Sequence, residues 1–336
     1  MIKLTEDMAD CPPVSVLLAV RNEQEYLDAC LESIDLQDYP RDRIEIILID
    51  GMSTDRTPAM IDDWSHRDPR VKSLQNAGKI VSTGMNIGLR HARHDLILWT
   101  SGHVILPPDY LRRCVRILNR TGAAAVGGVV HVASSAGVGK VTAAVLSSRF
   151  GVGLAPHRVA TRSGWVSTVT MAIYRKEAIL AVGGFNESLP RSQDNDLHDR
   201  MNRIGLKSYL DTDLRPIYMC RSTFAGFLGQ AWTNGFWNVR LTLMGHRGFS
   251  LRHFVPMAFV GALFILSILS VITSISLYAL LFVITIYAGC AAVFSIAAGM
   301  ARGLSWRIVL LPLWFVSLHV TYGLASWVGF LRGKSK

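Results

Sequence analysis

Up to about residue 250 the hydrophobic positions come in short blocks separated by polar stretches; beyond it they run together almost without interruption. Val14–Val20 (VSVLLAV), Ile44–Asp50 (IEIILID), Val71–Gln75, Leu96–Thr100 and Ala123–Val130 each have the length of a strand. Continuous apolar runs of this kind suit strands covered on both faces. The intervening segments carry helical spacing. Glu23–Leu36 puts Tyr26, Leu27, Cys30, Leu31 and Ile34 on one face, Ile80–Ala92 and Pro108–Leu118 predict two further helices, and Asp55 is placed to cap a helix after the second strand. Strands alternating with helices predict an α/β fold with a mostly parallel, doubly wound sheet. Ligands of such sheets bind at the carboxyl ends of the strands. That rule selects Ala19–Glu23, Asp50–Asp55 and Ser101–His103 as pocket candidates.

The pattern then changes. Residues 131–161 are rich in Gly, Ala and Ser, which predicts a variable or mobile segment near a membrane surface. Trp165–Tyr174 predicts a strand, Gly183–Phe185 a turn and Asp194–Ile204 a helix. Gly226–Leu243 sets Phe227, Trp232, Phe236 and Trp237 beside basic residues, as an interfacial helix does. From 254 to 331 the only charged residues are Arg302 and Arg307. Apolar stretches of about 18 residues or more read as membrane helices. They predict spans at Phe254–Ile275, Leu277–Met300 and Ile308–Leu331, the first two forming a hairpin. The expected organisation is a catalytic domain over 1–223, an interfacial segment over 224–253 and a membrane region over 254–331. The positive-inside preference places Arg302 and Arg307 on the side of the large domain. Three full spans would then put Arg332, Lys334 and Lys336 on the opposite side, against the same preference. Either one segment is re-entrant or the first basic cluster dominates.

Charge and cysteine content narrow the class. The formal net charge is +10. The basic residues Arg240, Arg247, Arg252, Arg332, Lys334 and Lys336 flank the apolar segments, which points to anionic lipid headgroups; no nucleic-acid-binding motif accompanies them. The five cysteines (Cys11, Cys30, Cys114, Cys220 and Cys290) are scattered, with no metal spacing and no disulfide framework, as suits a reducing compartment. The opening MIKLTEDMAD has no apolar core behind a basic start, so no secretory signal is read and the catalytic part is expected in the cytoplasm.

Four segments at the predicted strand ends carry a family likeness. Residues 14–57, the stretch NAGKIVSTGMNIGLRHARHDLILWTSGH (76–103), GGFNES (183–188) and QDNDLHDRM (193–201) resemble family 2 glycosyltransferases of the GT-A fold. The likeness is to the membrane-anchored bacterial exopolysaccharide, succinoglycan-synthesis type, and covers roughly residues 13–240. It implies an inverting transfer from a nucleoside-diphosphate sugar, UDP-hexose by default. It also implies donor contacts at Ala19, Arg21, Glu23, Asp50 and Ser53. An aspartate at a strand end can accept from a uracil N–H, and a glutamate from ribose hydroxyls; a turn or cap role for Asp50 stays open. Lys79, Ser101 and Gly102 are placed to meet the diphosphate.

The family's acidic metal motif is altered. Ser101-Gly102-His103 stands where Asp-x-Asp or Asp-Gly-His is usual, and His103 falls on the metal-ligating position. Imidazole binds Mn²⁺ more readily than Mg²⁺, while Ser101 supplies no carboxylate. A hydrogen bond from His103 to phosphate or backbone is the alternative. For the base, the resemblance implies Asp194, with Gln193 replacing the family's Glu and Asp196 and Arg200 following. A helix N-cap is the competing role for Asp194, and an i,i+4 ion pair the competing role for Asp196. Gln230, Trp232 and Trp237 are candidates for the acceptor groove or for interfacial anchoring.

The reading is a membrane transferase using a polyprenyl-diphosphate-linked acceptor, in the inner membrane as a multi-pass protein, with possible polysaccharide-assembly partners. Two alternatives are a polyprenyl-phosphate glycosyltransferase and a degenerate transferase-like subunit. His319, the one ionisable group inside the spans, is expected to pack against a neighbouring helix rather than relay protons.

Overall fold

In the computed structural model the described residues are 11–135, 137–153, 155–245 and 251–333. The N-terminal stretch read for a signal, together with Arg247, Lys334 and Lys336, lies outside them. The chain divides into two compact units: residues 1–131 with 156–219, and residues 132–155 with 220–336.

The first unit is built on an eight-stranded sheet. Its strands are β1 (Val14–Val20), β2 (Ile44–Asp50), β3 (Val71–Gln75), β4 (Leu96–Thr100), β6 (Ala125–Gly128), β8 (Gly164–Val166), β9 (Ile173–Arg175) and β10 (Ser208–Asp211); β5 (Val104–Ile105) and β7 (His131–Ala133) lie outside it. The order is β3-β2-β1-β4-β9-β6-β10-β8. Pairs β1–β2, β1–β4, β2–β3 and β6–β10 are parallel, while β9 runs antiparallel between β4 and β6. The first four strands coincide with the predicted ones. The expected single strand over 165–174 is instead two short strands, β8 and β9, which pair with different neighbours.

Helices α1 (Leu27–Asp35), α2 (Thr57–Arg67), α3 (Val81–His91) and α4 (Tyr110–Thr121) follow β1, β2, β3 and β5. They cover two apolar layers. One holds Val16, Leu18, Leu31, Ile46, Leu48 and Tyr110; the other holds Leu17, Ile47, Ile49, Met85, Trp99 and Tyr174. Burying a side chain of this size stabilises by about 1.5–3 kcal/mol, which explains why β1 and β2 carry apolar residues on both faces. Helix α3 lies close to the sheet because Gly88 faces it: a Cβ there would stand 2.9 Å from Ile49 Cδ1.

The second unit contains α5 (Gly137–Ser147), α6 (Arg149–Val152), α10 (Phe224–Leu243), α11 (Val255–Leu269), α12 (Ser274–Ala301) and α13 (Leu311–Leu331). The part of the Gly/Ala/Ser-rich stretch expected to be mobile that falls here, 132–155, is largely helical and packed. Trp314 Nε1 donates to Thr142 Oγ1 at 3.1 Å, and Arg302 donates to Ser147 Oγ and to the Val132 carbonyl, both at 2.6 Å. Helix α10 is held along α13 by bonds from Ser326 Oγ to the Gly235 carbonyl (3.1 Å) and from Asn238 to the Tyr322 hydroxyl (2.7 Å). His319 bonds to Tyr287 and to the Phe150 carbonyl, the packing role expected of it. Among the described residues three helical stretches are long and apolar enough to cross a membrane: Leu251–Leu269, Ser274–Ala301 and Ser305–Leu331.

Candidate active site

The loops after β1 and β2 are laced together. Asp50, buried at the end of β2, accepts from the Ser53 amide (3.2 Å to each oxygen) and from Ser53 Oγ (2.5 Å). Ser53 Oγ accepts in turn from the Asn22 amide (2.9 Å). Thr57 Oγ1 accepts from the Glu23 amide, and Asn22 Oδ1 from the Thr54 amide. Asp55 accepts from the amides of Thr57 and Gln24. Against the burial that would raise it, these Thr57 and Gln24 bonds hold the Asp55 carboxyl below its usual value. The cap position expected for Asp55 belongs to Arg56, so Asp55 instead ties the helix start to the neighbouring loop. Gly51 sits where a Cβ would lie 3.3 Å from Arg21 Cβ and 3.4 Å from the Lys79 carbonyl, so all three loops converge. Asn22, Met52 and Lys79, one in each loop, all adopt left-handed φ (55°, 59° and 62°). Non-glycine residues in that region cost about 1–3 kcal/mol each and persist where their surroundings impose it.

Ser101, Gly102 and His103 follow β4 directly. Gly102 packs on Glu23, whose Cγ would lie 3.1 Å from a Cβ at that position. His103 Nδ1 is 2.9 Å from Glu23 Oε1, and the imidazole stands edge-on to Tyr218 at 5.0 Å. Sequence reasoning gave Glu23 and His103 separate tasks; the structure pairs them. The loop has a further support that the sequence did not reveal. Burial pushes the Cys30 thiol up to about 12, so it stays protonated and donates to the Ser101 carbonyl at 3.4 Å.

Asp194 sits in the first turn of α9 (Gln193–Arg203), one residue beyond its start. The N-cap position belongs to Ser192, with φ 56°, so Asp194 does not occupy the cap. Its Oδ1 accepts from the Asn195 amide at 2.9 Å. Burial raises its carboxyl above the ordinary value, against the Asn195 bond and Arg191, which lower it. Asp196 is buried and paired with Arg200 through Oδ2, at 2.9 Å to Nε and 2.7 Å to Nη2. Arg200 also donates to the Val182 carbonyl. His198, which sequence reasoning passed over, is buried and bonds to Tyr174, Val169 and Ser208. Burial depresses it to about 4, so it is a neutral strut on the buried face of the helix.

The segment leading to α9 is fixed on α3. Asn86 donates to the Phe185 carbonyl and accepts from its amide, both at 2.8 Å, and Ser82 Oγ donates to the Leu189 carbonyl at 2.7 Å. Phe185 packs edge-on to Trp99 of β4 at 5.0 Å. Gly184 combines φ 77° with a Cβ position 2.8 Å from Asn86 Oδ1. Gly184→Ala is therefore expected to lower stability by about 1–2 kcal/mol, read as a lower Tm.

Gln230 and Trp232 lie on α10 of the second unit, Trp232 exposed and Gln230 half-buried. Trp237 packs edge-on to Phe236, and the Arg240 guanidinium lies 5.5 Å from both rings. A cavity of about 480 Å³ is lined by Gly122, Trp165, Arg175, Glu177 and Lys207 among others. It contains none of the residues selected from sequence, and the strand-end rule favours the loop cluster instead.

Residues 15–183, half of the chain, match the family model described as "Glycosyl transferase family 2". The chain belongs to glycosyl transferase family 2. This family 2 chain is 26% identical to the succinoglycan biosynthesis protein ExoA of Rhizobium meliloti, over 72% of its own length and 74% of the relative's. It is 24% identical to a dolichyl N-acetyl-alpha-D-glucosaminyl phosphate 3-beta-D-2,3-diacetamido-2,3-dideoxy-beta-D-glucuronosyltransferase of Methanococcus voltae, over 66% and 71%. Among solved structures, the transferase is similar to the mannosyltransferase PcManGT of Pyrobaculum calidifontis in complex with GDP-Man and Mn²⁺. The TM-score is 0.58 and the identity 19%, over 95% of this chain and 87% of that one. TarS 1–349 of S. aureus in complex with UDP-GlcNAc gives a TM-score of 0.51 at 15% identity, over 96% and 92%. The α/β unit is thus of the GT-A kind, and the relatives' names place them in polysaccharide and lipid-linked glycan synthesis.

Proposed function

We propose that the protein is an inverting hexosyltransferase that moves a sugar from a nucleoside-diphosphate donor, UDP-hexose first, to a polyprenyl-diphosphate-linked saccharide at the cytoplasmic face of the inner membrane. The observation that carries this reading is the placement of Asp194, half-buried in the first turn of α9 with Oδ1 held by the Asn195 amide at 2.9 Å. Its carboxyl, raised above the ordinary value by burial, is the better able to take a proton. The residues of 1–223 outside the second unit would carry the chemistry, with 224–253 and 254–331 attaching it to the membrane.

In this mechanism Asp50 and Ser53 receive the base and Glu23, Ala19 and Arg21 lie along the ribose. Ser101, Gly102 and Lys79 meet the diphosphate. Asp194 takes the proton of the acceptor hydroxyl as that oxygen attacks the anomeric carbon. The bond to the diphosphate breaks in the same displacement, which inverts the centre.

Metal fit can be tested on the donor set. Among the described residues no three His, Cys, Asp or Glu side chains gather as a ligand group. Glu23 and His103 together offer one carboxylate and one imidazole. Such a pair fits an ion that takes its remaining ligands from phosphates and water, not a resident ion held by protein alone. When bound, Mn²⁺ or Mg²⁺ would offset charge on the leaving diphosphate. Glu23, hydrogen-bonded to His103 at 2.9 Å, would orient the imidazole toward such an ion from the neighbouring loop.

Calorimetry on detergent-solubilised protein tests the reading, with UDP-hexoses against GDP- and dTDP-sugars, each with Mn²⁺ and with chelator. One donor class is expected to bind, more tightly with Mn²⁺, and His103→Ala to remove the difference between the two conditions. Absence of binding by every donor in both conditions would move the assignment to a transferase-like subunit, for which the replacements at Ser101 and Gln193 speak.

A further inference from the structure

A departing nucleoside diphosphate needs fixed donors where its negative charge develops, and the loop after β4 has few of its own. Ser101 and Gly102 carry no charge, Lys79 is exposed in a different loop, and the His103 imidazole is engaged by Glu23 at 2.9 Å. A further cation, Arg158, stands beside this loop. It comes from the stretch that its Gly, Ala and Ser content marked as variable.

Backbone pairing brings it there. β5 runs antiparallel to β11 (Ile217–Met219), with Tyr218 opposite Val104, and the Met219 amide donates to the His103 carbonyl at 2.9 Å. The Tyr218 ring therefore stands against the imidazole, at 5.0 Å and an interplanar angle of 79°. On the other side, the His131 amide donates to the Pro216 carbonyl at 2.9 Å, next to the start of β11. The adjoining Val130 amide donates to the His157 carbonyl at 2.8 Å, which fixes the single turn α7 (Pro156–Val159) beside the same strand. From α7 the Arg158 guanidinium carbon lies 5.2 Å from the centre of the Tyr218 ring. One tyrosine thus holds both the arginine and the imidazole.

The contact suits arginine in particular. A guanidinium held over an aromatic ring keeps its N–H donors at its edges, in the planar fork that binds phosphate oxygens in pairs. Arg158 is half-buried, so water and salt screen its charge less than that of an exposed lysine. It does not give up its proton in a protein, which makes it a donor and a fixed charge but never an acid or base.

We propose that Arg158 is a donor-binding residue that takes the terminal, sugar-bearing phosphate of the donor from the Tyr218 side of the Ser101-Gly102-His103 loop. As the acceptor oxygen bonds to the anomeric carbon, the bond from that carbon to the diphosphate breaks and its electron pair stays on the phosphate oxygen. Arg158 donates N–H bonds to that phosphate and keeps its own proton, while the proton of the acceptor hydroxyl goes to Asp194. The inference rests on the nucleoside-diphosphate donor proposed above and gives the chain a cation of its own in the charge balance.

Calorimetry on the full chain in detergent tests this with two pairs of probes, UDP against UMP and GDP against GMP, each with Mn²⁺ and with chelator. Arg158→Ala is expected to weaken binding of the diphosphate by roughly 10–100-fold in both conditions. Binding of the matching monophosphate should change by less than about twofold, which also shows that the variant is folded. Arg158→Lys keeps the charge without the fork and should fall between wild type and Arg158→Ala. An unchanged diphosphate affinity in Arg158→Ala would overturn the proposal. Equal losses for diphosphate and monophosphate would overturn it too, by making Arg158 a support of the fold or of the nucleoside pocket. Failure of the wild type to bind either diphosphate more tightly than its monophosphate would instead defeat the donor assignment itself.

Discussion

Asp194→Asn is expected to lower the turnover rate by roughly 10²–10⁴-fold while leaving the donor dissociation constant within about twofold of the wild type. The amide keeps the shape of the side chain and its bond from the Asn195 amide, but it cannot take a proton. The same variant makes a stability prediction of definite sign. Burial raises the Asp194 carboxyl above its ordinary value of 3.8. The native state therefore binds that proton more tightly than the unfolded state does. Stability falls as pH rises from the unfolded value through the folded one, and the loss persists above both. Asn carries no charge to desolvate, so the variant should melt higher at neutral pH as it loses activity. A purely structural carboxylate would give a lower Tm. The pH profile follows the same logic: the acid limb of kcat/KM should lie above the ordinary aspartate value and disappear in the variant's residual activity. A comparable loss of donor affinity and turnover would remove Asp194 from the role of base.

Asp50→Ala is expected to weaken donor binding by roughly 10–100-fold, the worth of about 1.5–3 kcal/mol for hydrogen bonds to a charged group, and should show in calorimetry before any effect on turnover at saturating donor. Because Asp50 also anchors Ser53, which receives the Asn22 amide, Ser53→Ala separates the two contributions. It loosens the lacing but keeps the carboxylate. Loss confined to Asp50→Ala identifies a direct contact, and equal loss in both variants identifies a positioning residue. An unchanged dissociation constant in Asp50→Ala would place the donor elsewhere.

Much of the first unit was legible in the chain because parallel strands buried on both faces must be apolar throughout, and turns must interrupt them. β1, β2 and β4 follow from that requirement, as does the gathering of Ala19–Glu23, Asp50–Asp55 and Ser101–His103 at one edge; β3 (VKSLQ) is a mostly exposed edge strand and owes its place to its neighbours. The long apolar helices of the C-terminal part were legible for a related reason: extended uncharged runs have few other places to go. The stretch 165–174 misled because β8 and β9 are three residues each, too short for a periodic pattern to distinguish two strands from one. Residues 132–155 misled because small residues signal looseness in a sequence, yet in a helix they permit close packing, as Ala143, Ala144 and Val145 do.

Pairings between distant residues needed the tertiary structure. Glu23 and His103 are 80 residues apart, and each was intelligible alone with a different task. Only the adjacency of β1 and β4 brings carboxylate and imidazole together beside a serine that lacks a charge. The desolvation of Asp194 is likewise no property of QDNDL; it arises where α9 packs beside Tyr174 and the loop held by Asn86. The sequence by itself determined the strand order of chemistry, the family likeness and the apolarity of the C-terminal helices. The tertiary structure decided which carboxylate is left without a basic partner in its helix and which is spent on Arg200. It also decided that Arg158 and His103 meet on one tyrosine, because burial and distance depend on what other parts of the chain surround a residue.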